Sequence, residues 1–119
     1  SSAASDVYKR QPLCSALLKN QCVPAWDTVD LYPLRADFAV AWRWLKAPMV
    51  FSLSELPERA PMRPEKFCVC LRVMAEMGLA AVDFDGETLH LRPLPTSGKV
   101  DLGASKLLQA LRDRRQKLL

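Results

Sequence analysis

Four cysteines, one histidine and thirteen carboxylates are the side chains of this 119-residue chain with metal-binding or acid–base chemistry. A zinc site wants closely spaced cysteine pairs that converge on one point. Cys14 and Cys22 offer no such pair, and Cys68 and Cys70 lie within one helical pattern. Two positions apart on a helix, they diverge by about 200° and cannot close a site together. His90, the only histidine, falls in a strand-like run with no serine or cysteine placed as a nucleophile beside it. Asp83 and Asp85 flank a turn, and turn chemistry accounts for both. No glycine-rich phosphate loop occurs. The expectation is a chain without catalytic residues, without a metal ligand set, and with buried or half-buried thiols.

Charge is the remaining resource. The net charge of +4 is uneven. Residues 104–119 hold Lys106, Arg112, Arg114, Arg115 and Lys117 against Asp113 alone, so the rest of the chain is neutral. Half the residues are apolar, an ordinary globular balance that one modest core can absorb. No apolar run approaches the roughly 20 residues of a membrane span, and a cytoplasmic protein is the default reading.

The element that must position any site is the stretch Arg63 to Arg92. Pro64 suits a first helical turn, and Gly78 suits the left-handed residue after the last. Phe67, Leu71 and Met74, with Cys70 and Met77 beside them, form an apolar face. Leu79–Phe84 and Thr88–Arg92 read as strands joined by a two-residue Asp85-Gly86 turn. Upstream, a helix from about Pro33 to Lys46 is expected to bury Phe38, Ala41, Trp42 and Leu45, leaving Trp44 as a rim contact. Met49–Leu53 is β-prone, Ser52 or Ser54 caps a brief helix opened at Glu55, and Pro57 fits its first turn.

The order predicts an α+β, winged-helix-like domain over 31–103. It consists of three helices and a two-stranded β-hairpin wing. A basic C-terminal helix over 104–119 follows, with Leu107, Leu108, Leu111 and Leu118 in a stripe. Residues 1–11, SSAASDVYKRQ, resemble an adaptor-derived leader, which would make the chain a fragment of something longer. Residues 12–30 read as a connector or the tail of a preceding domain.

A winged helix raises the question of DNA. Opposite the apolar face of the central helix the pattern places Glu65, Val69, Arg72 and Glu76, and two carboxylates there would repel a duplex. That face is expected to dock protein through Glu65, Arg72 and Glu76. Arg63 and Lys66 flank the helix start, where a phosphate contact is favoured by the dipole. Arg112, Arg114 and Arg115 give the terminal helix a second nucleic-acid candidate, although such a helix more often packs its leucines and solvates its charges. The hairpin tip, Asp83 to Glu87, is acidic.

Leu31-Tyr32-Pro33-Leu34-Arg35-Ala36-Asp37-Phe38 resembles the opening of the C-terminal domain of RecJ-type single-strand-specific DNA exonucleases of Firmicute-like bacteria. Met74-x-x-Met77-Gly78-Leu79, the hairpin, and then Lys99-Val100-Asp101-Leu102-x-x-Ser105 resemble its continuation. The family often carries a tyrosine shortly after that serine, whereas Lys106-Leu107-Leu108 follow here. The resemblance implies a parent enzyme that degrades single-stranded DNA from the 5′ end in recombination and repair. Its divalent metal ions, manganese or magnesium, would belong to catalytic domains outside this chain. The implied partners are the nuclease core, single-stranded DNA and a single-stranded DNA-binding protein. A truncated winged-helix transcription regulator and a pure protein-interaction module are the alternatives.

Overall fold

The computed structural model describes residues 14–19, 33–96 and 101–118, with 114–118 as helical backbone alone. The expected leader, Cys22, Trp26 and most of the expected connector lie outside the described residues. The elements in order are α1 (14–18), α2 (Arg35–Trp44), β1 (Met49–Ser52), a 3-10 turn (Leu53–Glu55) running into α3 (Leu56–Arg59), α4 (Pro64–Glu76), β2 (Ala80–Phe84), β3 (Thr88–Pro93), a second 3-10 turn (Leu102–Ala104) and α5 (Lys106–Leu118).

Local chemistry explains where these elements begin and end. The Leu34 N–H donates to Asp37 Oδ2 at 2.7 Å at the head of α2, satisfying a donor that the helix itself leaves open. Pro64 occupies the first turn of α4. At its other end the Gly78 N–H reaches the Ala75 carbonyl at 3.3 Å and the Leu79 N–H reaches the Met74 carbonyl at 2.8 Å. Gly78 takes φ 75 between them, so this is a Schellman stop that favours glycine. The hairpin turn sits one residue later than the Asp85-Gly86 pair expected from sequence. Phe84 faces Leu89, and the Asp85 N–H donates to the Thr88 carbonyl at 3.3 Å, so Gly86 and Glu87 are the central residues. Gly86 has φ 98 in the first of these positions, where a type II′ turn wants glycine.

The sheet corrects another expectation. It has three antiparallel strands in the order β1-β3-β2, not the two of a lone hairpin. Met49 lies opposite Leu91 and Phe51 opposite Leu89, so β1 supplies hydrogen-bond partners to the edge of β3 that β2 leaves open. Leu89 and Leu91 point into the core, alternating with exposed His90 and Arg92.

At the centre lies α4. Phe67, Cys68, Val69, Cys70, Leu71, Val73 and Met74 are all shut off from solvent. A helix apolar on every side is a buried helix, and α1, α2, the sheet and α5 contribute to the core that encloses it. Cys14, Leu17 and Leu18 of α1 belong to the same buried cluster, so this stretch packs with the domain. In α2 the two tryptophans exchange their expected places. Phe38, Ala41 and Leu45 are buried and Trp42 is 40% exposed. Trp44 instead packs edge-on against Phe67, ring centroids 5.0 Å apart, and against Phe51 at 6.5 Å. The stripe is rotated toward Trp44 because that side meets both α4 and β1.

Candidate functional site

The outward face assigned to α4 does not exist as a surface. Glu65 is only 2% exposed and Val69 is fully buried, Arg72 is half-buried, and Glu76 is exposed. On the flank of that face the Cys14 thiol of α1 meets Cys68. Beyond α1, the Lys19 ammonium lies 6.0 Å from the Phe84 ring of the hairpin. A buried carboxylate needs a partner, and Arg63 Nε stands 3.2 Å from Glu65 Oε2. The expected phosphate contact at Arg63 is therefore committed to Glu65. Lys66 is likewise engaged: its ammonium lies 3.6 Å from Asp37 Oδ2, tying α4 to the head of α2.

Glu76 and Arg72 sit at the other end of the helix, around a cleft shared with Lys106 and Leu107. The Glu76 carboxylate accepts from Ser105 Oγ at 2.5 Å and from the Lys106 N–H at 2.8 Å. It is a cap delivered to α5 by a different helix, satisfying N–H groups that α5 itself cannot. Burial works to raise the Glu76 pKa, but these hydrogen bonds and the Lys106 charge outweigh it and hold the group below the ordinary carboxylate range. Arg72 Nε is buried and makes no hydrogen bond among the described residues. So the three residues expected to form one docking face serve three separate ends: a buried ion pair, a cleft wall and a helix cap.

Cys14, Cys68 and Cys70 are free, buried thiols. Contact with Cys14 and burial push the Cys68 thiol well above its ordinary value, and burial next to Asp37 pushes Cys70 up to about 12. Among the described residues no group of three or more His, Cys, Asp or Glu side chains is placed to hold a metal ion. The hairpin tip uses its acid locally. Hydrogen bonds from the Thr88 N–H, at 2.6 Å, and the Glu87 N–H, at 2.9 Å, hold the Asp85 carboxyl below its usual pKa. No described helix is long and apolar enough to cross a membrane.

In α5, Leu108 and Leu111 are buried and Leu107 half-buried, while Arg112 is exposed. Arg114, Arg115 and Leu118 lie on its helical backbone, their side chains outside the described residues.

One surface was not foreseen. Two adjoining depressions of about 340 and about 320 Å³ run along α2 and share Arg35, Phe38 and Leu102. Pro33, Leu34, Leu108 and Arg112 line one half; Ala39, Trp42, Met74 and Leu79 line the other. Leu34 is 58% exposed at its rim. The sequence signal was present: Arg35 and Trp42 are seven positions apart and share a helix face. Assigning Trp42 to the core hid it.

No protein-family model, curated protein or solved structure matches this chain.

Proposed function

We propose that this chain is an accessory, winged-helix-like module of a RecJ-like 5′-to-3′ single-stranded DNA exonuclease. In this reading it docks protein, the nuclease core or a repair partner such as single-stranded DNA-binding protein, and does not read DNA through its central helix. The observation that carries the docking half is the enclosure of α4. A groove-reading helix must present a free face to base edges, and Glu65 and Val69 on that side are buried. That enclosure also weighs against a truncated transcription regulator. The winged-helix half is supported by the order helix, strand, short helix, helix, hairpin, with β1 joined to β3. The RecJ half rests on the motif resemblance at Pro33–Phe38, Met74–Leu79 and Asp101–Ser105.

The metal ions of the parent reaction belong, on this reading, to other domains, and no residue of this chain is assigned to them. Weak phosphate contact through Arg112 and the arginines that follow it is the one nucleic-acid role kept. Fluorescence anisotropy with labelled single-stranded DNA at low and moderate salt tests the assignment. Weak binding, lost with salt and with a combined Arg112→Glu, Arg114→Glu and Arg115→Glu variant, is expected. Tight binding that survives salt, or digestion of the DNA by this chain alone with manganese, would overturn it.

A further inference from the structure

We propose that the groove between α2 and the Leu102 turn docks an acidic, apolar peptide segment of a partner protein. The inference rests on the docking function above and assigns it a place and a ligand chemistry.

The floor is apolar: Phe38, Met74, Leu79 and Leu102. Beside it Trp42 remains 40% exposed and Leu34 58% exposed, although burial of either would be favourable. Tryptophan and arginine are the residues that most often carry protein–protein affinity, and here they stand on one helix face. Arg35 lines both halves of the groove, and its side chain makes no hydrogen bond or ion pair among the described residues. Arg112 lines the α5 end.

Asp101 lines the α5 half beside Arg112, so the charge the proposal uses is that of Arg35, which lines both halves. Asp101 Oδ1 accepts from the Gly103 N–H at 2.9 Å and is used to close the 3-10 turn. A segment that inserts apolar side chains and brings a carboxylate to Arg35 therefore complements both the shape and the charge.

Two other occupants fit less well. Single-stranded DNA affinity grows with the number of phosphates neutralised, and this floor is apolar with two arginines on its walls. A second copy packed symmetrically would bring equivalent arginines toward each other.

The test uses the full chain and a fluorescein-labelled peptide blocked at both ends, alternating glutamate with leucine and phenylalanine. Anisotropy should report saturable binding, and Arg35→Glu or Trp42→Ala should each weaken it by about tenfold or more, the scale of an interface anchor. Both side chains are exposed, so circular dichroism should confirm an unchanged fold. Equal binding of a peptide with lysine in place of glutamate would overturn the charge assignment. Displacement of the peptide by oligothymidine as effectively as by unlabelled peptide would make the groove a nucleic-acid site and overturn the proposal. A dimer in sedimentation velocity that Trp42→Arg dissolves would overturn it in favour of self-association. Capture of a RecJ-type nuclease core that both variants leave intact would overturn the groove while leaving the docking function standing. Peptide binding that both variants weaken, without capture of that core, supports the groove and overturns the parent enzyme instead.

Discussion

Two helices in this domain, α2 and α4, begin from similar amphipathic patterns and end in opposite situations. On α4 even the acidic residue Glu65 is buried, against Arg63, and Val69 beside it is shut off from solvent. On α2 the apolar side is only partly covered, and Trp42 and Leu34 remain in solvent beside an arginine. Which face of a helix is available depends on what distant segments bring to it. A helix's own periodicity reports what could be buried. Its neighbours decide what is.

The contrast can be broken most strongly at the core. Phe67→Ala should cost about 3–5 kcal/mol, because Phe67 is fully buried beneath Trp44 and the cavity cannot collapse. Chemical denaturation would read this as a lower midpoint at unchanged slope. Close behind is Glu65→Lys, which leaves a buried cation facing Arg63 and should cost about 3 kcal/mol in the same measurement. If Glu65 were the surface residue that periodicity suggests, the change would be near neutral.

A smaller effect is expected at the far end of α4. Glu76→Ala removes the acceptor for the first N–H groups of α5, leaving Ser105 to cap Leu108, and should cost about 1 kcal/mol. Its pH dependence has a definite sign. The folded carboxyl titrates below its ordinary 4.5, so its contribution is complete above that value and is lost as pH falls through the lowered folded one. The stability gap between the native chain and Glu76→Gln should therefore close on acidification, which thermal melts across that range would show. A gap that widens in acid would refute the cap. At the bottom of the scale, Trp42→Ala should change stability by no more than about 0.5 kcal/mol. A larger loss would mean that α2 is as enclosed as α4 and has no open face.

What was legible in the sequence was local. Pro64, Gly78 and Gly86 mark their helix and turn because proline and glycine act through their own backbone angles. The Asp-Gly signal puts the turn one residue early, because here Asp85 serves as an acceptor for the turn. Pairing of Met49–Ser52 with β3 joins residues about forty positions apart, and no local pattern encodes it. The burial of Glu65 and Val69 is set by tertiary packing, and the Cys14–Cys68 contact beside them joins residues more than fifty positions apart. The exchange of Trp42 and Trp44 follows from the same source, because only the position of Phe51 and Phe67 tells which tryptophan lies inward.

The contact of α1 with α4 carries a consequence for how long the protein survives as one unit. α1 is described over 14–18, a length too short to hold a helix alone, and residues 20–32 join it in sequence to α2 and the rest of the domain. While that stretch is intact, α1 acts at the high effective concentration of a tethered partner. A single proteolytic cut within it would turn the same contacts into a bimolecular equilibrium. On dilution the severed piece would leave, and Cys68 would lose the thiol it packs against.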